Sequence, residues 1–287
     1  MNKEEENKKL EKKYEEKSSK DFIAKKSLGQ NFLHAPNIIN RMVYEARVDE
    51  NDIVLEVGPG KGALTEKLLL KKTLVIAVEK DDRAIEYLNN KFSLEIKKGK
   101  LILIHEDILN FDENKHGLKD RNYTIVANIP YYISGEFLKK FLDSKIQPKR
   151  ILVMLQKELA KRILDKKGSI LSISVKVFGN PKYIVSVPRK LFRPIPNVDS
   201  ALIIIDNISN EFFINSNIDK TYFFDIVKSG FSHKRKVLIR NLEKNIDIET
   251  LKEFWIDAKL SNKIRAEELS IDDWKKMAIF TSRFPQK

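Results

Sequence analysis

Ile53-Val54-Leu55-Glu56-Val57-Gly58-Pro59-Gly60-Lys61-Gly62-Ala63 runs from an apolar, β-branched segment straight into a glycine-rich turn. Ile53–Val57 reads as a buried strand and Ala63–Leu70 as the helix that follows it. The same alternation continues downstream. Leu74–Val78 is a strand, and Arg83–Phe92 a helix with Ile85, Leu88 and Phe92 on one face. Leu101–Ile104 and Tyr123–Ala127 are strands, Phe137–Leu142 lies in a helix, and Ile151–Leu155 is a fifth strand before a helix from Gln156 to about Leu164. Upstream, Pro36 can open a helix in which Ile38, Ile39, Met42, Val43 and Ala46 follow at helical spacing. Repeated strand–helix units predict an α/β fold, a mostly parallel sheet with helices on both faces. Ile170–Phe178, Tyr183–Val187 and Ala201–Ile205 add further β-rich stretches. After about residue 207 the strands stop, and 220–229, 234–243, 249–257 and 271–280 are helical by periodicity. The expected organisation is a charged, disordered tail at 1–20, an α/β domain at 21–206 and a small helical domain at 207–287.

Composition narrows the chemistry. The 287 residues contain no Cys, which removes disulfides, zinc ribbons, iron–sulfur clusters and any cysteine nucleophile. The four His are scattered without ligand spacing, so no metal site is expected. No apolar run approaches membrane-spanning length and the charged N-terminus has no signal-type core, so a cytoplasmic protein is expected. The formal net charge of +13 points to a polyanionic partner. The excess is spread along the chain, as suits a surface lying on folded RNA.

Two strand ends carry the informative side chains. Glu56 to Ala63 loosely satisfies the G-x-G-x-x-G/A dinucleotide fingerprint through Gly58, Gly60 and Ala63. Glu56, however, is a carboxylate where a pyrophosphate would be repelled, and Gly62 gives the spacing Glu-x-Gly-x-Gly-x-Gly. Glu79 stands 21 residues after Gly58, where an acidic group can accept both ribose hydroxyls. Asp107 follows the third strand. At the end of Tyr123-Thr124-Ile125-Val126-Ala127 comes Asn128-Ile129-Pro130-Tyr131-Tyr132. Pro130 cannot donate to a sheet ladder and pushes Ile129 into an extended conformation, so the strand stops there. An Asn carboxamide oxygen can accept from an exocyclic amine, and a Tyr ring can stack on a planar base.

Glu56 to Gly62 resembles the first motif of S-adenosylmethionine (SAM)-dependent methyltransferases, and Asn128-Ile129-Pro130-Tyr131 resembles the Asn/Asp-Pro-Pro-Tyr motifs of enzymes that methylate nucleobase amino groups. In order along the chain, Gln30-Asn31-Phe32-Leu33, Glu56 to Gly62, Glu79, Asp107, Asn128 to Tyr132, Leu155-Gln156-Lys157-Glu158, Phe192 to Ser200, Phe231 to Lys236 and Arg265 to Leu269 are similar to the small-subunit (16S) rRNA adenine N6,N6-dimethyltransferases, the kasugamycin-resistance family. That resemblance covers about residue 25 to the C-terminus. It implies a Rossmann-like SAM-dependent methyltransferase domain with a C-terminal helical domain that docks RNA. It implies that Asn31, Leu33, Gly58, Gly60, Glu79, Asp107 and Asn128 line the SAM site. Asn128, Pro130 and Tyr131 would handle the target adenine, with Phe192 stacking on its other face. The implied partner is the small ribosomal subunit precursor, approached by a monomer that dimethylates two adjacent adenines in the 3′-terminal hairpin.

His233-Lys234-Arg235-Lys236, with Arg240, reads as a basic cluster opening a C-terminal helix. It is a solvated face in most proteins and a phosphate contact in a basic one with a nucleobase site. The alternatives are a large-subunit rRNA adenine dimethyltransferase, a DNA adenine methyltransferase and a non-enzymatic RNA-binding assembly factor on the same fold. The Phe192 segment and C-terminal motifs, the lack of a target-recognition insertion, and the intact Gly58, Glu79 and Asn128 weigh against each in turn.

Overall fold

The structure is a computed structural model describing residues 24–25 and 28–284. The expectation for the tail at 1–20 lies outside the described residues. Chain order runs β1 (Phe32–Leu33), α1 (Pro36–Ala46), β2 (Ile53–Val57), α2 (Ala63–Leu69), β3 (Leu74–Glu79), α3 (Asp82–Lys91), α4 (Ser93–Lys97), β4 (Leu101–His105) and β5 (Tyr123–Asn128). A 3-10 turn at Tyr131–Ile133 leads into α5 (Ser134–Leu142), β6 (Arg150–Gln156), α6 (Lys157–Leu164), α7 (Ile170–Lys176), β7 (Asn180–Val187), β8 (Phe192–Arg193) and β9 (Ser200–Asp206). Among the described residues the elements that follow are helical: α8 (Glu211–Ile214), α9 (Lys220–Gly230), α10 (Leu238–Leu242), α11 (Ile248–Asp257), a 3-10 turn at Ala266–Glu268, and α12 (Ile271–Thr281). No helix among the described residues is long and apolar enough to cross a membrane.

The seven-stranded sheet has the order β4-β3-β2-β5-β6-β9-β7. The first five strands are parallel, and β9 is antiparallel to both β6 and β7. The chain winds outward from β2 through β3 to β4, then returns across the sheet to lay β5 on the other side of β2. The carboxyl ends of β2 and β5 therefore meet where the winding reverses, and open α/β sheets bind ligands at such a crevice.

Period-two alternation sends successive side chains to opposite faces. Val54, Val75, Val126, Leu152 and Met154 pack with Ile38 and Met42 of α1 and Leu64 and Leu68 of α2. Leu55, Val57, Ile125, Ala127, Val153 and Leu155 point the other way, into a core shared with Phe137 and Phe141 of α5 and with Phe223, Phe254 and Trp274 of the helical segment. Both faces are covered, which is why the strands read as continuous apolar runs.

One expected element is corrected. Ile170–Phe178 is not β structure; Ile170–Lys176 is helical. Ser169 and Ser172 form a reciprocal capping box at its start, satisfying backbone donors that a strand would have offered to a ladder. Its β-branched residues misled because tertiary packing overrides their modest strand preference, with Ile173 and Val175 buried in the core.

Candidate active site

The site is built on close backbone approach at the reversal point. Val57 pairs with Ala127, so the next residues, Gly58 and Asn128, leave adjacent strands side by side. Gly58 has φ +71°, and a Cβ there would lie 2.8 Å from the Asn128 carbonyl oxygen. Only glycine fits that contact and that backbone conformation without strain. The Gly58 amide donates to Val78 O at 3.1 Å, tying the turn to β3 as well.

Glu79, the last residue of β3, organises the turn. Its Oε2 accepts from the Gly60 amide at 3.1 Å, and its Oε1 accepts from the Lys80 and Asp81 amides at 2.9 Å each. Burial pushes the Glu79 carboxyl up, and the three amides pull it back toward the charged form. Asp107 accepts from Lys80 Nζ at 2.7 Å and from the Leu109 amide at 3.0 Å. Burial acts to raise its carboxyl, but these two donors hold it below the usual range.

A cleft open to solvent, spanning about 860 Å³, runs over these strand ends. It is lined by Asn31, Gly58, Gly60, Glu79, Asp107, Asn128, Pro130, Tyr131 and Phe192, so every residue expected at the cofactor and target base except Leu33 converges there. Leu33 does not line it; it faces the adjoining cavity, which shares Phe32, Gly58, Gly60 and Asn128 with the main one. Three carboxylates, Glu79, Glu106 and Asp107, line the main cleft against one basic side chain, Lys80. That balance suits a cationic ligand and not a pyrophosphate. A sulfonium with an amino group and a ribose fits the acidic wall and the glycine cradle.

Tertiary contacts join motifs far apart in sequence. Leu33 of β1 pairs with Phe192 of β8, in an antiparallel ribbon beside the cleft. Phe192 is buried, one side of its surroundings being core and the other the cleft. The Tyr131 hydroxyl lies 2.6 Å from Ser200 Oγ at the start of β9, which fixes the ring at the end of the Asn128-Ile129-Pro130-Tyr131 corner. Burial pushes the Tyr131 phenol up, so it stays neutral. Tyr132, next to it, is 64% exposed at the rim.

Sequence reasoning assigned no role to Ser200, Gln30 or Asp81. The Asp81 side chain is fully buried, accepts from Gln30 Nε2 at 2.8 Å and is paired with Arg83 at 2.7 Å. Although burial acts to raise the Asp81 carboxyl, Arg83 and Gln30 hold it well below the usual range. Gln30 thereby ties the β1 segment to the β3 end, with Gly29 packed against Tyr132 and Pro130. Gln30 and Ser200 stood within quoted motifs; for Asp81 the available signal was the capping pattern Asp81-Asp82-Arg83 at a helix start.

Glu56 is fully buried beneath the glycine turn, and neither carboxylate oxygen finds a hydrogen-bond partner. Desolvation pushes its pKa up to about 8, the nearby Glu79 adding to the rise. The folded protein thus holds this proton more tightly than the unfolded chain, so the contribution of Glu56 to stability is full below about pH 4.5 and is lost as pH rises towards 8. Glu56→Gln is expected to flatten this slope and to stabilise the protein at pH 8–9 by on the order of a few kcal/mol. Urea melts at pH 5, 7 and 9 check it; parallel pH profiles for the two proteins count against a neutral Glu56.

The basic cluster needs correction. Lys234, Arg235 and Lys236 do not open a helix; they lie exposed in the turn between α9 and α10, which starts only at Leu238. Asn241 fastens this turn, donating to Gly230 O at 2.6 Å and His233 O at 3.2 Å. Arg240 lies within α10 and pairs with Glu243 at 3.3 Å. The cluster is remote in sequence from the cleft and takes no part in lining it.

A crevice at the winding reversal, acidic along its wall and ending in an amide beside an aromatic corner, defines a Rossmann-like methyltransferase that uses S-adenosylmethionine as methyl donor. Comparison with known proteins narrows this. The sequence model for ribosomal RNA adenine dimethylase matches residues 21–282. A ribosomal RNA small subunit methyltransferase A from Dehalococcoides mccartyi is 38% identical over 262 residues, covering 89% of this chain and 88% of that protein. One from Fusobacterium nucleatum is 37% identical over 88% of this chain and 95% of its own length. Among solved structures, a dimethyladenosine transferase from Plasmodium falciparum superposes with a TM-score of 0.72 at 25% identity, over 88% of this chain and 98% of that one. The 23S rRNA methyltransferase ErmE superposes at 0.70 with 20% identity, over 88% and 100%, which speaks for the fold alone. The chain belongs to the ribosomal RNA adenine dimethylase family and is a SAM-dependent rRNA adenine dimethyltransferase.

Proposed function

We propose that the protein dimethylates N6 of two adjacent adenines in the 3′-terminal hairpin of small-subunit rRNA, in an assembling particle, acting as a cytoplasmic monomer in ribosome biogenesis. The observation that carries the catalytic part is the side-by-side exit of Gly58 and Asn128 from β2 and β5. It sets the cradle for a methyl donor directly against the amide that reads the acceptor. The choice of subunit follows the names of the relatives.

When bound, SAM supplies the electrophilic methyl group. Glu79 is placed to accept the ribose hydroxyls, Asp107 an adenine amino group, and Gly58 and Gly60 let the backbone approach the methionyl part. Asn31 and Leu33 close the site from the β1 side. The two cavities that meet at the glycine turn suit an elongated cofactor lying across it. Asn128 Oδ1 and a main-chain carbonyl at Ile129 or Pro130 accept the two N6 hydrogens. Holding both hydrogens favours a pyramidal nitrogen whose lone pair points at the donor, which is catalysis by orientation and charge stabilisation. Tyr131, clamped by Ser200, offers a ring edge or face to the base, and Phe192 forms the opposite wall. A pocket of this size takes only an unstacked base, so the target lies in a loop.

Residues 21–206 carry the chemistry in this reading, and residues 207–287 dock the RNA. Replacing Lys234, Arg235 and Lys236 together with Gln should flatten the salt dependence of RNA binding by roughly two to three units of log–log slope. An unchanged slope returns the turn to a merely solvated surface. The function itself is tested by incubating the protein and labelled SAM with undermethylated small subunits, free small-subunit rRNA and large subunits, then mapping modified bases by mass spectrometry. About four methyl groups per small subunit, on one adjacent adenine pair, is expected from two N6 positions each attacked twice. Methylation confined to large subunits, or none at all, overturns the assignment.

A further inference from the structure

The methionyl end of SAM carries a carboxylate as well as an amino group, and the main cleft offers that carboxylate little. Glu79, Glu106 and Asp107 line its wall, and Lys80, its one basic side chain among the described residues, is already bound to Asp107 at 2.7 Å. The adjoining cavity has the opposite character. Lys61 and His34 line it and, among the described residues, no carboxylate does. Glu66, in the first turn of α2, is engaged by Lys91 at 3.5 Å. Gly58, Gly60 and Asn128 line both cavities. A carbon bearing an amino and a carboxylate group, set at that seam, has acids on one side for its amine and Lys61 on the other for its carboxylate.

Lys61 is held for such a contact. It stands between Gly60 and Gly62, whose φ values are +55° and +73°, and its carbonyl accepts from Lys91 Nζ at 3.3 Å. A Cβ at Gly60 would come within 2.9 Å of Phe32 Cε1, so the Phe32 ring packs directly on the turn. Lys61 Nζ lies 5.6 Å from the centre of that ring, within cation–π range. Ile39, Met42 and Leu64 supply apolar lining around it. A half-buried ammonium in such surroundings gains more from an anion than one in open water does, because the attraction is less screened.

We propose that Lys61 recognises the carboxylate of SAM and makes the protein select a methyl donor with an intact amino acid end. This rests on the placement of the ribose at Glu79 in the preceding subsection, which sets the direction of the cofactor across the glycine turn. The contact lies at the opposite end of the cofactor from its adenine. It discriminates against adenosyl sulfonium compounds that lack the carboxylate.

The test is isothermal titration of wild type, Lys61→Met, Lys61→Arg and Glu79→Ala with SAM, S-adenosylhomocysteine and decarboxylated SAM. Met keeps a flexible, unbranched stem without the charge, and Arg keeps the charge. Wild type is expected to bind SAM about tenfold more tightly than decarboxylated SAM, the scale of one charge-assisted contact. Lys61→Met should bind SAM and S-adenosylhomocysteine about tenfold more weakly, with its affinity for decarboxylated SAM and its melting temperature unchanged. Lys61→Arg should keep most of the preference. Equal weakening of Lys61→Met toward all three ligands would make Lys61 a support of the turn and overturn the proposal, as would a wild type with no preference. If Lys61→Met binds SAM as wild type does while Glu79→Ala weakens every ligand, the carboxylate assignment falls and the ribose placement stands. If Glu79→Ala binds every ligand as wild type does, the ribose placement fails and the proposal falls with it.

Discussion

Asn128→Ala is expected to lower single-turnover methyl transfer by on the order of 10²–10³ while leaving SAM affinity largely intact. The carboxamide ends β5 at the cleft, half-buried, and its job in the proposed chemistry is to accept an N6 hydrogen as positive charge builds on the nitrogen. Removing the acceptor leaves the backbone crossing at Gly58 untouched, since that contact uses the Asn128 carbonyl and not its side chain. The variant should therefore fold and bind cofactor. A near-wild-type rate would refute the mechanism. A loss of SAM binding equal to the loss of rate would move Asn128 from the acceptor to the donor half of the site.

Glu79→Ala should have the second large effect, and it should appear in stability as well as in binding. The carboxylate accepts three main-chain amides, and two of those bonds are buried. Deleting it strands donors that water reaches poorly, at a cost of about 1–3 kcal/mol for each one fully buried. The glycine turn then loses the contact that holds Gly60 beside β3. SAM affinity should fall by a further roughly 1–3 kcal/mol through unpaired ribose hydroxyls. Isothermal titration at low temperature, where circular dichroism shows the variant still folded, separates the two effects. A lowered melting temperature with unchanged SAM affinity would leave Glu79 as a brace for the turn and nothing more.

Much of the site was legible because its local physics is local in sequence. Glycines that must adopt positive φ, a Pro that stops a strand, and acids at strand ends announce themselves within a few residues. The parallel sheet was equally legible, since strands buried on both faces read as unbroken apolar runs. The stretch 170–178 was misread because β-branched residues fit either a buried strand or a buried helix, and the deciding feature was a pair of serines capping a helix start. The basic turn was misplaced for a related reason: charges at 233–236 carry no periodicity, and the first helical residue is set by burial of Leu238.

The sequence by itself determined the residue types at each strand end, the order of the motifs and the family. Only the tertiary structure decided who meets whom. The reversal of winding between β2 and β5 sets Gly58 against the Asn128 carbonyl, across 70 residues of chain. The antiparallel insertion of β9 beside β6 brings Ser200 to Tyr131, and the β1–β8 ribbon brings Leu33 to Phe192 and leaves it facing the second cavity. Those pairings are long-range because strand order is settled by which apolar faces can be covered together, a property of the whole sheet that no window of sequence contains.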